Sequence, residues 1–359
     1  MTSSSSKKPV IAVTGLEGRD NPYPGPAIAR ALRAARGDDV VMVGLTYEPT
    51  LTGCLRADLF DDVYVSPLPG DPAAVLMRRL FEIHEKQPID LLIPALDSEL
   101  AIIARHKDEL AQRGIRTYIP SAESVMARYK QRLWTWARKH GLHSPRTEVV
   151  TDPRTFWQQE DWDFPCFLKG SLADAVKVSC QEEAEVVYHR LVARWGYPVL
   201  AQQMVHGEEF DICAVADAAG EPVAMIPIRK TVLSAAGKAI GAEVVHSPEA
   251  LAEGRRILKA LKWQGPLEIE LMREHSSGRF FLIEVNARFP AWIGICGHTG
   301  VNLPDLLVRL ALGEALPEER EPVVGTAFLR SSRTTLSRVE DLGTLMAAGH
   351  LQHRDQSCD

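Results

Sequence analysis

Short apolar runs alternate with longer amphipathic stretches through the first 120 residues. Val10 to Thr14 is a strand-like run followed by a turn-rich segment, and a helix is predicted over Ala27 to Ala35. Further strands are predicted at Val40 to Leu45, Val63 to Ser66 and Ile89 to Ala95, with helices over Pro72 to Lys86 and Ser98 to Arg113. This βαβ rhythm predicts a parallel sheet with helices on its faces. Ligands of such sheets sit beyond the carboxyl ends of the strands.

The pattern then changes. Ser121 is the N-cap and Gly141 the C′ residue expected of one helix from Ala122 to His140. After it come short strands at Cys166 to Lys169, Val199 to Val205, Phe210 to Ala216 and Val223 to Ile228, the last two joined through Asp217-Ala-Ala-Gly220 as a hairpin. Antiparallel sheet is predicted here. The division expected is residues 1–120, 121–198, 199–320 and a C-terminal extension over 321–359.

Gly265 to Arg288 reads as two alternating strands around His275-Ser276-Ser277-Gly278. A turn centred near Ser277 sets Glu270 opposite Glu284 and Glu268 opposite Asn286, and period-two geometry puts all four on one face. Leu267, Ile269, Leu271, Phe281, Ile283 and Val285 are left for the core face. Opposed carboxylates repel by about 0.2–1 kcal/mol, and a shared divalent cation reverses that sign. Carboxylate and amide oxygens suit Mg²⁺, which also binds substrate phosphates. The competing reading is a solvated acidic face with Arg273 or Arg279 as counter-charge.

Composition narrows the function classes. With 45% hydrophobic and 25% charged residues the chain matches an ordinary globular protein. A formal charge of −6, without a cluster of Lys and Arg, gives no footprint for nucleic acid. The six cysteines form no C-x-x-C pair, which argues for a reducing compartment over a disulfide framework. No run reaches the length of a membrane span, so a cytoplasmic protein without membrane attachment is expected. Oligomeric state is left open, a homodimer among the options.

In order along the chain, these motifs resemble the ATP-grasp superfamily, in particular the branch of biotin carboxylase and the carbamoyl-phosphate synthetase large subunit. Ile283-Glu-Val-Asn-Ala-Arg288 resembles that family's E-[IV]-N-P-R motif, with Ala287 in place of proline. The Gly297-His-Thr-Gly-Val-Asn-Leu-Pro304 run that follows is similar to the family pattern too. By this resemblance Glu270, Glu284 and Asn286 hold Mg²⁺ and Arg288 contacts the phosphates. Lys130 and Lys169 would hold ATP phosphates, the backbone of Gln203, Met204 and Val205 the adenine, and Glu209 the ribose. The clustered cations Arg229 and Lys230, with Lys238 nearby, are candidates to stabilise a transferring phosphoryl group, Arg229 being taken as catalytic beside Arg288. Arg330 and Arg333 are candidates for a substrate carboxylate.

The fold implied is α/β: a Rossmann-like N-terminal domain followed by a two-subdomain ATP-grasp region. The activity implied is ATP-dependent, ADP-forming ligation of a carboxylate, of an amino acid or peptide, to an amine through an acyl phosphate. One departure opens an alternative. Where the family has a glycine-rich phosphate loop, this chain has Gly170-Ser-Leu-Ala-Asp-Ala-Val176, with one glycine. That favours an ATP-binding sensor or scaffold without ligase activity. A dinucleotide-dependent oxidoreductase is disfavoured, because Thr14 to Pro26 lacks G-x-G-x-x-G and its three prolines remove donors.

Overall fold

The computed structural model describes residues 7–17, 22–158, 162–171, 174–234, 239–331 and 334–353. In chain order the first stretch holds β1 (Val10–Thr14), α1 (Gly25–Arg36), β2 (Val41–Thr46), β3 (Asp62–Val65), α2 (Ala73–Lys86), β4 (Leu91–Ile93), α3 (Asp97–Arg105) and α4 (Lys107–Gln112). Next come α5 (Ala122–Ala127), α6 (Lys130–Lys139), β5 (Thr147–Val150), α7 (Pro153–Phe156), β6 (Cys166–Lys169), β7 (Ala175–Val178), α8 (Gln181–Trp195) and β8 (Val199–Gln203). The remainder is β9 (Gly207–Ala216), β10 (Pro222–Leu233), β11 (Ala239–Val244), α9 (Pro248–Leu261), β12 (Gly265–Glu274), β13 (Phe280–Asn286), α10 (Leu303–Leu312), β14 (Ala327–Leu329), α11 (Val339–Ala348) and β15 (His350–Gln352).

The strands make three sheets. β1 to β4 form a parallel sheet in the order β3-β2-β1-β4, and β15 adds antiparallel on the β3 edge. The second sheet, β5-β8-β6-β7, and the third, β13-β12-β9-β10-β11-β14, are antiparallel throughout. One core serves the second sheet alone, built from residues between Val150 and Ala201. The first and third sheets share the other two cores. β9 shows why: Phe210, Ile212, Ala214 and Ala216 enter one core, and Cys213 and Val215 the other. Asp211, on that second face, is the polar interruption.

Two predicted helices divide. Ser98 to Arg113 breaks at His106 into α3 and α4, and Ala122 to His140 breaks at Arg128 and Tyr129 into α5 and α6. Tyr129 is extended (φ −58°, ψ 132°). That lets the Arg128 guanidinium turn inward to Asp97 and the Val285 carbonyl, and starts α6 at Lys130, whose side chain faces Glu284. Ser121 does cap α5, accepting from Ser124 N–H.

Candidate functional site

The β12–β13 register sets Glu270 opposite Glu284 and Glu268 opposite Asn286, as the alternation predicts. The far half of the hairpin differs. Leu271 pairs with Leu282, so Ile283 is an extra residue, a β-bulge that flips the remaining side chains. Phe280 and Leu282 therefore face the core, whereas Phe281 and Ile283, expected there, are half-buried.

On its other side β12 pairs with β9, placing Asp211 opposite Glu270. Three adjacent strands thus present Glu284, Glu270 and Asp211 in one row. The counter-charge is not Arg273 or Arg279. Lys230 Nζ lies 3.1 Å from Asp211, 3.3 Å from Glu209 and 3.5 Å from Glu270, and Lys130 Nζ lies 3.3 Å from Glu284. Lys169 is buried at the end of β6, with Glu284 as its strongest attractive charge and Lys130 as a repulsive one. Both predicted phosphate lysines therefore converge on a predicted metal ligand.

For Lys169, Lys230, Asp211 and Glu270 burial is the largest influence; it sets the direction for Lys169 and Asp211, and neighbouring charges outweigh it for Lys230 and Glu270. Burial lowers the Lys169 pKa. It opposes the Lys230 ammonium too, but Glu270, Asp211 and Glu209 outweigh it and hold Lys230 well above its ordinary value. Burial, with the charges of Glu270 and Glu268, pushes Asp211 well up. For Glu270 burial is overcome by Lys230, Lys169 and Arg288, which keep it below the usual carboxylate range.

The amide of Asn286 donates through Nδ2 to Glu268 (3.1 Å) and Glu270 (2.9 Å), which turns its oxygen away from both. Glu268 also accepts from Trp292 Nε1 at 2.7 Å and from Arg288 Nη1 at 3.1 Å. The Arg288 Nε is held by Asp97 Oδ2 at 3.1 Å, and Asp97 Oδ1 meets Arg128 at 2.8 Å. The alternation places Glu268 on this face but gives it no ligand, and the sequence does not single out Asp97, Asp211 or Arg128. Asp211 left a trace there, as a lone acid inside an apolar strand; the others are far in sequence from what they touch.

The donor set fits a divalent cation. Asp211 Oδ1 is buried with no well-directed hydrogen bond, although Lys230 lies 3.1 Å away. Among the described residues no three His, Cys, Asp or Glu side chains form a closed cation site. Mg²⁺ is commonly bound by one or two carboxylates together with substrate phosphates; Glu270, Glu284 and the Asn286 side chain are the groups that could hold it.

Other predicted residues fall as follows. The Gln203 N–H is taken by the Arg146 carbonyl, while no backbone bond claims Met204 or Val205 among the described residues. Glu209 lies on the face of Asp211. Arg229 is not brought to the cluster: strand alternation points it away from Lys230, and it pairs with Glu243 at 2.6 Å and Glu208 at 3.6 Å. Arg330 follows β14 and is partly buried, which lowers its pKa against the opposing charge of Glu268. Lys238, Arg333 and the middle of the glycine-poor loop, Leu172 and Ala173, lie outside the described residues. At the base of that loop Gly170 N–H bonds the Asp174 carbonyl, and Asp174, at φ 66°, is held by Trp195 Nε1 and Arg194.

Residues 197–332 match a family described as ATP-grasp in the biosynthetic pathway with Ter operon. Solved structures extend the likeness over most of the chain. An L-amino acid ligase from Bacillus licheniformis is 17% identical with a TM-score of 0.63, over 86% of this chain and 75% of that one. The chain has the ATP-grasp fold. The biotin carboxylase domain of the Hydrogenobacter thermophilus 2-oxoglutarate carboxylase, solved as a dimer with magnesium ADP, ADP and bicarbonate, matches at 16% identity and a TM-score of 0.64, over 88% of this chain and 72% of that one. Phosphoribosylglycinamide synthetase from Anaerococcus prevotii matches at 15% and 0.60, over 85% and 75%. Within the ATP-grasp fold the charged row lies on the third sheet, facing lysines from α6 and β6.

Proposed function

We propose that this ATP-grasp chain binds magnesium ATP between its second and third sheets and uses it to join a carboxylate to an amine. The observation that carries the reading is the row Glu284, Glu270 and Asp211 set against the lysines 130, 169 and 230. Lys130 and Lys169, with Lys230 inside the row, would hold the phosphates of a magnesium triphosphate, and the carboxylates would hold its metal. Lys130 and Lys169 hold phosphate oxygens, the Met204 and Val205 backbone holds adenine beside Gln203, and Glu209 holds the ribose. Glu270, Glu284 and Asn286 hold Mg²⁺, which supplies charge neutralisation when bound.

A substrate carboxylate oxygen bonds to the γ-phosphorus as the bond to ADP breaks. The amine nitrogen then bonds to the acyl carbon, phosphate leaves, and the amine loses a proton. Arg288 steadies the transferring phosphoryl charge, and Lys230, in place of Arg229, is the second cation near it. An amino acid or peptide is the carboxylate class the reading favours, the L-amino acid ligase being one of the fold's relatives.

Calorimetric titration with ADP, with and without Mg²⁺, tests this. Metal-dependent binding that Glu284→Ala abolishes is the expected result, followed by ADP release from ATP with pooled amino acids or peptides as carboxylates and amines. No binding in either condition would overturn the reading. Binding without ADP release under any pool would favour a nucleotide sensor or scaffold, the alternative suggested by the single glycine in the loop over 170–176.

A further inference from the structure

The ionic network does not stop at the phosphate site. It runs from Lys230 through Glu270, Asn286, Glu268 and Arg288 to Asp97, and on to Arg128. Asp97 is the first residue of α3 and enters the network from the first sheet's side of the molecule. It grips the β13 exit at two points. Its carboxylate takes Arg288 Nε directly at 3.1 Å and reaches the strand a second time through Arg128. Arg128, at the break between α5 and α6, holds the other carboxylate oxygen at 2.8 Å and donates to the Val285 carbonyl at 3.3 Å. Asp97 and Glu268 therefore take Nε and Nη1 of Arg288, and Nη2 takes part in neither bond.

From this geometry we infer that Asp97 is a positioning residue for phosphoryl transfer: it fixes the Arg288 guanidinium so that its remaining edge meets the terminal phosphate. The inference rests on the nucleotide reading above and deepens it. An arginine side chain left to itself samples many rotamers, and ordering it at the moment of reaction costs free energy. A carboxylate on Nε removes that freedom beforehand, which is the general advantage of a preorganised electrostatic site. The same bond ties α3 to the strand carrying the metal ligands, so a ligand that moves α3 also moves the phosphate contact.

The test compares two probes, magnesium ADP and the magnesium complex of the non-hydrolysable β,γ-imido analogue of ATP, by calorimetry. Asp97→Asn keeps the size and an acceptor but removes the charge. It is expected to bind magnesium ADP within a factor of about two of the parent and to lose about tenfold on the triphosphate analogue, the scale of one charge-assisted hydrogen bond. Arg288→Gln should show the same selective loss, and the double variant should be no worse than Arg288→Gln alone, since the two residues act through one contact. Equal losses on both probes, or additive losses in the double variant, would overturn the inference and leave Asp97 a structural residue. If Asp97→Asn does not fold, Asp97→Glu, which keeps the charge and displaces it by one methylene, carries the same expectation of selective loss. Failure of the parent protein to bind either probe would overturn the nucleotide reading, and this inference with it.

Discussion

Glu99 is a buried carboxyl packed against the first sheet, and among the described residues no cation pairs with it. It sits on α3 between the ends of β1 and β4, accepts from Thr14 Oγ1, from Ala95 N–H at 2.9 Å and from Leu96 N–H at 3.0 Å, and leaves Oε2 without a partner. Burial pushes its pKa from 4.5 up to about 7 against those three donors. The folded protein thus keeps a proton that the unfolded chain gives up, so stability from this group is present below pH 4.5 and is lost as pH rises from there to about 7. The loss reaches about 3 kcal/mol at most. Glu99→Gln, whose carbonyl can accept the same three bonds, is expected to flatten unfolding stability across pH 5 to 7.5 in urea titrations; an unchanged slope would mean Glu99 ionises as freely folded as unfolded. At this scale the sequence was informative where chemistry follows local spacing. Glu270, Glu284 and Asn286 could be read from alternation and a turn. Asp97 and Asp211 acquire their roles from residues on other elements, as Glu268 does in its bonds to Arg288 and Trp292, and no spacing within one element encodes that.

At the scale of elements, alternation carried the hairpin register but not the bulge. Leu282 and Ile283 are both apolar and strand-forming, so nothing in the pair shows which one is the extra residue. The helix breaks at His106 and Arg128 were hidden for a related reason: neither site holds Gly or Pro, and the break at Arg128 goes with a buried ion pair to another helix. The start of β12 shows a constraint that one glycine meets. Gly265 has φ +90°, and a Cβ there would lie 2.3 Å from the Tyr118 carbonyl oxygen. Backbone clash and an unfavourable φ act together, so Gly265→Ala should lower unfolding stability by about 2 kcal/mol or more. A chemical-denaturation midpoint equal to the parent's would show that the β12 entry does not need this close approach.

At the scale of the whole molecule the chain's last described strand returns to its first sheet. β15 is three residues long and has no alternation to announce it, and the extension over 321–359 gave the sequence reading nothing but two candidate arginines. What places β15 is an assembly of small tertiary contacts. His350 stacks on Tyr64 with ring centroids 4.1 Å apart and meets Asp62 at 3.0 Å. The Gly349 carbonyl accepts from the Val65 N–H and from Arg79, and Leu345 and Leu351 are buried in the core shared by the first and third sheets. Burying two leucines contributes about 4 kcal/mol, and pairing with β3 covers an edge whose open N–H and C=O groups would otherwise invite association. A chain ending at Ser337 keeps β14 and Arg330 but loses all of this. It is expected to melt well below the parent and to associate at lower concentration, as followed by thermal unfolding and light scattering. Its affinity for magnesium ADP should remain within a few-fold, because the charged row belongs to the third sheet and its lysines come from α6, β6 and β10. Loss of nucleotide binding at a temperature where the shortened chain is still folded would instead show that the return of β15 sets the geometry between the sheets, and not only the stability of the first.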